Sequence, residues 1–195
     1  MRLIVASNNK GKIREIKDIL SDGFEVLSLN DVGFTDDIEE NGTTFEENAF
    51  IKVHAVAERF PDFAVIGDDS GLCVDALGQA PGVYSARYAG KHGNDKANID
   101  KLLHELGDRT DRDARFVCCI AARLPDGEEF SCKGICNGSI SRKPAGDNGF
   151  GYDPVFFVQS FGKTMAQLTE SEKNGISHRG NALKAFSEEI KRRMK

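Results

Sequence analysis

Six consecutive residues near the amino terminus, Ser7-Asn8-Asn9-Lys10-Gly11-Lys12, combine small polar side chains with a glycine and two lysines. They follow residues 2–6, of which 3–6 are apolar, so we expect a buried strand to pass into a helix here. N–H groups at a helix start, with the positive end of the helix dipole, favour an anion. The segment therefore predicts a phosphate site, with a capped surface helix as the alternative. It is not a Walker P-loop, because Ile13 follows Lys12 and Ala6 stands where a glycine is needed.

Acidic residues occur in two groups, Glu39-Glu40 and Asp68-Asp69-Ser70. Carboxylate oxygens are the ligands that Mg²⁺ prefers, and the ion usually keeps several waters while it bridges to substrate phosphates. The second group follows the apolar run 63–67, which predicts a strand that ends next to the aspartates. Strand ends open onto the crevice of an α/β sheet, where a carboxylate can also orient an attacking water. The alternative is a plain turn, since Asp, Ser and Gly favour turns.

A third set of polar residues occurs late in the chain. Glycines on both sides of Phe150 expose its ring, on which a nucleobase can stack. Lys173, His178 and Arg179 can donate hydrogen bonds to carbonyl oxygens or phosphates. Alternatively, Phe150 belongs to the core and the His178-Arg179 pair decorates the first turn of the last helix. The three sets together are the parts that a nucleotide hydrolase needs.

The elements that must position these groups alternate between helix and strand early in the chain and form hairpins later. A mixed central α/β sheet flanked by helices is therefore expected. Four helices are predicted. The first is capped by Asn9 or a neighbour and buries Ile13, Ile16 and Leu20, and the second follows the capping box Thr44–Glu47 with Phe45, Ala49, Val53, Val56, Ala57 and Phe60 inward. The third runs from Asn94 to Gly107 with Ile99, Leu102, Leu103 and Leu106 inward, and the last is capped by Ser177 and buries Leu183, Phe186, Ile190 and Met194. The later predicted strands are 114–122 and 128–136, joined by the turn Asp126-Gly127, and 152–158.

Length and composition restrict the class of protein. A chain of 195 residues predicts one domain over residues 1–195, with two lobes that share a core. The net charge of −5 argues against a general nucleic-acid binder. No apolar run approaches the roughly 18 residues that cross a bilayer, and the amino terminus does not resemble a signal peptide. The five cysteines, an odd number, then favour reduced thiols in the cytoplasm over disulfides or a zinc site.

These strings resemble the inosine triphosphate pyrophosphatase family, also called the Ham1-like or deaminated-purine NTP pyrophosphatases. The likeness runs nearly end to end and in the right order. Besides the first segment with Glu15, the strings are Thr44-Phe45-Glu46-Glu47-Asn48-Ala49, Asp68-Asp69-Ser70-Gly71-Leu72, Pro81-Gly82-Val83-Tyr84-Ser85-Ala86-Arg87-Tyr88, Gly149-Phe150-Gly151-Tyr152-Asp153-Pro154 and Ser177-His178-Arg179-Gly180.

The resemblance implies a homodimer of α/β subunits, each with two lobes and a cleft between them. It also implies Mg²⁺-dependent hydrolysis of ITP, dITP and XTP to the monophosphate and pyrophosphate. Asp69 is implied as the catalytic carboxylate and a Mg²⁺ ligand, with Glu39 as a further ligand; Glu40 can replace it, because adjacent glutamates make the alignment ambiguous. The implied substrate-binding residues are Ser7, Asn8, Asn9, Lys10, Gly11 and Lys12 at the triphosphate, Ser70, and around the base Phe150, Gly151, Tyr152, Asp153, Lys173, His178 and Arg179.

Three other functions remain as alternatives. A Maf-like pyrophosphatase of pyrimidine or modified nucleotides is the nearest, although Phe150 and Ser177-His178-Arg179 argue against it. A nucleotide sensor without turnover is disfavoured by the acidic group at Glu39 and Asp69, since extra negative charge does not help to bind an anion. An RNA-binding module does not suit the acidic net charge.

Overall fold

The computed structural model describes residues 1–193, and within them seven strands form one sheet in the order β2-β1-β3-β4-β5-β6-β7. β1 pairs in parallel with β2 and β3, whereas β6 pairs antiparallel with β5 and β7. The mixed α/β sheet expected from the sequence is therefore confirmed. The strands are β1 (Arg2–Val5), β2 (Glu25–Ser28), β3 (Ala64–Val74), β4 (Asp113–Arg123), β5 (Glu129–Ile140), β6 (Phe156–Val158) and β7 (Lys163–Thr164).

Five α-helices accompany the sheet within the described residues: α1 (Lys10–Ile19), α2 (Phe45–Ala57), α3 (Asp95–Leu106), α4 (Glu170–Ile176) and α5 (His178–Arg193). The caps predicted at Asn9, Thr44 and Asn94 are confirmed, because each side chain accepts a hydrogen bond from a first-turn N–H. Gly107 ends α3, as expected, with a positive φ of 49°. Met194, predicted on the inner face of the last helix, lies outside the described residues.

The chain divides into two compact units. The first contains Met1–Asp69, Cys118–Gly134 and the chain from Arg179 onward, and the second contains Ser70–Val117 and Ile135–His178. The first unit has two apolar clusters, one that includes α1 and α5 and one that includes α2. The second unit has one cluster, built from α3, β6 and their neighbours. No helix within residues 1–193 has the length and apolar character to cross a bilayer.

A close contact between α2 and β3 organises the first unit. A Cβ placed on Gly67 of β3 would lie 2.3 Å from the carbonyl oxygen of Ala49 and 3.1 Å from Val53 Cγ2. Contacts this short are sterically excluded, so only glycine lets the helix come so near the strand at this point. This contact brings the buried face of α2 against the strand that carries the acidic residues.

Some sequence predictions were wrong. The strand predicted over 63–67 does not end before the aspartates, because β3 continues through Asp68 and Asp69 to Val74. Both aspartate side chains have partners in the protein, so the strand can carry them in its buried interior. The strand predicted over 152–158 begins only at Phe156, because the carbonyl oxygen of Tyr152 accepts the N–H groups of Val155 and Phe156 in a turn.

Three further elements were not predicted: β2, β7 and α4. The hairpin was predicted correctly, with β4 and β5 joined by a turn that contains Gly127 at a φ of 88°. Ser177, predicted as a helix cap, lies between α4 and α5. All five cysteines are thiols, which agrees with the prediction from their number.

Candidate active site

The polar segment 7–12 lies at the start of α1, directly after β1. Asn9 accepts a hydrogen bond from the Lys12 N–H at 3.0 Å, and Ser7 Oγ accepts one from the Asn9 N–H at 3.2 Å. Helix geometry gives the first-turn N–H groups no intrahelical acceptor, so this turn is able to bind an anion. Its exposed members are Asn8, Asn9 and Lys10, and its half-buried members are Ser7, Gly11 and Lys12.

A buried ionic group connects this turn with β3 and α5. Lys12 Nζ lies 2.6 Å from Asp68 Oδ1, and Arg179 Nε donates to Asp68 Oδ2 at 2.7 Å. The same Arg179 guanidinium donates to Glu15 on α1, and the Cys118 thiol donates to Asp68 Oδ2 at 3.3 Å. Two cations and two carboxylates thus balance one another in the interior, where an unpaired charge would be costly.

The ionisation of this group follows from opposing effects. Burial alone raises the pKa of Asp68, but the charges of Arg179 and Lys12 outweigh it and hold that pKa well below its ordinary value. Burial alone lowers the pKa of Lys12, but the Asp68 carboxylate outweighs it and the pKa is raised. Asp68 is therefore an anion and Lys12 a cation at neutral pH. Burial, followed by the charge of Asp68, raises the pKa of Cys118 well above its usual value, so Cys118 is an inert thiol.

Asp69 has different surroundings because successive side chains of a strand point to opposite faces. In β3, Ile66 packs with the cluster that contains α1 and α5, whereas Val65 packs with the cluster that contains α2. Asp68 shares the direction of Ile66, and Asp69 shares that of Val65. One carboxylate therefore faces α1, and its neighbour faces α2.

Two polar residues of α2 meet Asp69. Asn48 Nδ2 donates to Asp69 Oδ2 at 3.1 Å, and Asn48 Oδ1 accepts the N–H of Gly42 at 2.8 Å. One turn later, Lys52 Nζ lies 3.8 Å from Asp69 Oδ1 and donates to Glu40 Oε2 at 2.6 Å. α2 therefore holds Asp69 and the segment that carries Glu40 around one ammonium group. Burial, opposed by Lys52 and Lys12, raises the pKa of Asp69.

These two carboxylates fit a magnesium ion. Among residues 1–193, no three histidine, cysteine, aspartate or glutamate side chains converge as a metal site. Mg²⁺ does not require three protein ligands, because it is usually held by one or two carboxylates, and substrate phosphates and water fill its remaining coordination positions. The structure brings Glu40, rather than the exposed Glu39, to the ammonium shared with Asp69. Glu39 as a ligand stays a prediction.

In the second unit, Asp153 fixes the glycine-rich loop. Its Oδ2 accepts the Phe150 N–H at 3.0 Å and the Lys173 ammonium at 2.6 Å, and the latter lies 4.8 Å from the centre of the Phe150 ring. Gly149 has a φ of 77°, and a Cβ there would lie 2.0 Å from Asp153 Oδ2. Phe150 and Lys173 are thus neighbours, as a base-binding role requires, and Asp153 holds both.

The other predicted base-binding residues are engaged within the protein. Tyr152 is buried, and its hydroxyl donates to the Ser85 carbonyl oxygen at 2.9 Å. The Gly151 N–H donates to Asp95 Oδ2 at 2.8 Å. His178 stacks on Phe116 with ring centres 4.7 Å apart.

Two predicted substrate contacts remain, Arg179 and Ser70. Arg179 belongs to the first unit, is 1 % exposed and binds Asp68 and Glu15, so its role at the base stays a prediction. Ser70 is half-buried in β3, one residue after Asp69, and its contact with substrate also stays a prediction.

Four residues that make the contacts described above were not predicted individually from the sequence: Glu15, Asn48, Lys52 and Asp95. For Asn48 and Lys52 a signal was present. They are four residues apart and alternate with Ala49 and Val53 on the apolar face of α2, where polar side chains are normally avoided. Polar residues on a buried helix face indicate a partner in the interior.

Asp68→Asn tests the buried ionic group. The substitution leaves Arg179 and Lys12 with one anion fewer, so the free energy of unfolding at pH 7 should fall by about 3–5 kcal/mol. Because the folded pKa of Asp68 is depressed, its stabilisation is present above the unfolded pKa of about 3.9 and is lost as pH falls through the folded pKa. The difference in the free energy of unfolding between wild type and variant should therefore shrink below about pH 4. Urea unfolding followed by circular dichroism at several pH values measures it.

The matched control is Asp36→Asn. It removes an exposed ion pair in which Arg59 Nη1 lies 2.7 Å from Asp36 Oδ2. We expect a loss of about 0.2–1 kcal/mol there. A loss for Asp68→Asn as small as this, or one that does not vary with pH, would contradict the assignment.

Comparisons with known proteins identify the family of the chain. Residues 3–189 match the family model described as the Ham1 family. A relative from Bacillus subtilis, named dITP/XTP pyrophosphatase, is 51 % identical over 187 residues, which is 94 % of each chain. The solved structure of the Staphylococcus aureus Ham1 protein has a TM-score of 0.87 at 47 % identity and covers 98 % of both chains. A HAM1 protein from Coxiella burnetii has a TM-score of 0.88 at 41 % identity, over 98 % of this chain and 99 % of that one. The resemblance inferred from the sequence is confirmed, and the chain belongs to the Ham1 family.

Proposed function

We propose that this protein hydrolyses deaminated purine nucleoside triphosphates, namely ITP, dITP and XTP, to the monophosphate and pyrophosphate. The observation that carries the proposal is the arrangement on β3, where one aspartate holds the lysine of an anion-binding turn and the next belongs to a two-carboxylate centre. Relatives named dITP/XTP pyrophosphatase support the substrate class and favour it over a Maf-like activity on pyrimidine nucleotides.

The triphosphate is bound by the start of α1. The N–H groups of Lys10 and Gly11 and the Lys12 ammonium donate to phosphate oxygens, and Asp68 keeps that ammonium directed to one position through the 2.6 Å ion pair. Asp69 orients a water molecule and accepts its proton as the oxygen attacks the α-phosphorus. The bond between the α-phosphorus and its bridging oxygen breaks, and pyrophosphate leaves.

We propose that Asp69 and Glu40 hold the magnesium ion. Glu40 is preferred to Glu39 because Glu40 shares the Lys52 ammonium with Asp69. When bound, magnesium neutralises phosphate charge and stabilises the leaving pyrophosphate. A homodimeric assembly remains an expectation from the family resemblance, and a cytoplasmic location remains an expectation from the cysteine number and the amino terminus.

A panel of triphosphates tests the activity. Pyrophosphate release should be fastest with ITP, dITP and XTP, weak with ATP and GTP, and abolished when a chelator removes magnesium. Phosphate and pyrophosphate are measured separately, since release of orthophosphate would indicate a different bond cleavage. A preference for pyrimidine nucleotides would support the Maf-like alternative, and tight binding without turnover would support a sensor.

Asp69→Asn tests the catalytic carboxylate. The amide cannot accept the proton of the attacking water, so kcat should fall by at least about a hundredfold. Steady-state kinetics with ITP measure this, with circular dichroism to show that the variant is folded. Asp75→Asn is the matched control, because Asp75 follows the same strand but faces Arg115 at the surface, and it should keep near-normal kcat. A near-normal kcat for Asp69→Asn would remove Asp69 from the mechanism.

Lys173→Met tests base recognition. A charged donor suits the 6-oxo group of hypoxanthine and xanthine, whereas adenine presents an amino donor at that position. Since a hydrogen bond to a charged group contributes about 1.5–3 kcal/mol, the preference for ITP over ATP in kcat/KM should fall at least about tenfold. Lys163→Met, an exposed lysine of β7, is the control. An unchanged ITP-to-ATP ratio would mean that Lys173 does not read the base.

A further inference from the structure

A lysine lies between the two carboxylates proposed to hold magnesium. Lys52 Nζ is 2.6 Å from Glu40 Oε2 and 3.8 Å from Asp69 Oδ1, and its side chain is only 8 % exposed. One ammonium with little access to water therefore compensates both carboxylates, of which Asp69 is the more buried. The hydrolysis described above gives this cation no role.

We propose that Lys52 is a resident counter-cation that opposes binding of a divalent metal to Glu40 and Asp69 until a nucleoside triphosphate binds. The inference rests on the proposed function, because it takes these two carboxylates as the metal ligands. It adds an order to that function: metal and nucleotide bind as a coupled pair, and the metal alone binds weakly.

The charges of the three groups support this order. Glu40, Asp69 and Lys52 together carry one negative charge, and a divalent cation added alone would bring their sum to one positive charge. Like charges a few ångströms apart repel strongly where water is scarce. A triphosphate supplies several negative charges, so that the metal and the ammonium both gain partners. Linkage requires the effect to be reciprocal, so the metal also tightens nucleotide binding.

The carboxylates do not depend on Lys52 alone for their positions. Asn48 donates to Asp69 at 3.1 Å and accepts the N–H of Gly42, two residues after Glu40, at 2.8 Å. The close approach at Gly67 fixes α2 against β3 independently of any charge. A neutral side chain at position 52 should therefore remove the repulsion and leave the two carboxylates available to a metal.

Binding of Mn²⁺ to the nucleotide-free protein tests the inference, with electron paramagnetic resonance of free Mn²⁺ as the readout. Lys52→Met should bind Mn²⁺ at least about tenfold more tightly than wild type. The Coulomb repulsion between one ammonium and the ion, a few ångströms apart at an intermediate dielectric, exceeds the free energy of a tenfold change in affinity. Lys52→Gln, of similar length and neutral, should show the same direction. Lys96→Met, which removes an exposed lysine paired with Asp100, should leave Mn²⁺ affinity unchanged.

The double variant Lys52→Met with Glu40→Gln should lose the gain, because the tighter site includes Glu40. In wild type, a non-hydrolysable ITP analogue should raise the Mn²⁺ affinity of the protein at least about tenfold, once the Mn²⁺ bound by the analogue in a protein-free sample is subtracted, and this factor should shrink in Lys52→Met. Wild-type protein that binds Mn²⁺ equally well with and without the analogue would overturn the inference, without need of any variant. Unchanged or weaker Mn²⁺ binding in folded Lys52→Met and Lys52→Gln would do the same.

The two levels of proposal fail in different ways. If Asp69→Asn and Glu40→Gln lose magnesium-dependent pyrophosphate release while the Lys52 variants bind Mn²⁺ no more tightly, only the role of Lys52 is wrong. If Asp69→Asn and Glu40→Gln keep that release, the metal site of the proposed function is wrong.

Discussion

One buried carboxylate, that of Asp68, joins parts of the first unit that lie far apart in the sequence. Arg179 of α5, Lys12 of α1 and Cys118 of β4 all direct polar groups to it, and Glu15 balances the second cation. Such a group is tolerated in the interior only when its charges match, because each unpaired charge would cost several kcal/mol, on the order of 3–5. The first turn of α1, the proposed phosphate site, is consequently fixed by the interaction that also fixes α5. A change in the position of Lys12 must break an ion pair that the fold itself requires.

The alternation of side chains along β3 gives two adjacent aspartates separate tasks. Asp68 faces cations that hold its pKa low and keep it ionised at neutral pH. Asp69 faces α2, where burial raises its pKa and a single lysine is shared with Glu40. A carboxylate that has lost hydration and is only partly compensated is suited to bind a metal or accept a proton. Gly67 makes this possible, since any side chain there would push Asn48 and Lys52 away from the strand.

The sequence predicted those features that depend on local chemistry. The caps at Asn9, Thr44 and Asn94 were correct because a cap is recognised from a few neighbouring residues. The prediction for β3 was wrong, because an Asp-Asp-Ser-Gly string has the composition of a turn. Only long-range partners such as Arg179 and Asn48 allow this string to continue as a buried strand. The roles of Asn48 and Lys52 were missed for the same reason. Asn48 and Lys52 contact Asp69 only because Gly67, which lies outside their helix, lets β3 come close to α2.

The proposed substrate range limits how the base can be recognised. Lys173, held by Asp153 beside the Phe150 ring, presents a fixed donor that suits a 6-oxo group. Guanine has the same 6-oxo group, so this lysine cannot separate GTP from ITP. The difference must be sensed at position 2, where hypoxanthine has hydrogen, xanthine an oxo group and guanine an amino group. Steric exclusion alone is insufficient, because the oxo group that must be admitted is about as large as the amino group that must be rejected. A site that admits XTP and rejects GTP therefore offers no acceptor at position 2, which leaves the guanine amino donor desolvated and unpaired.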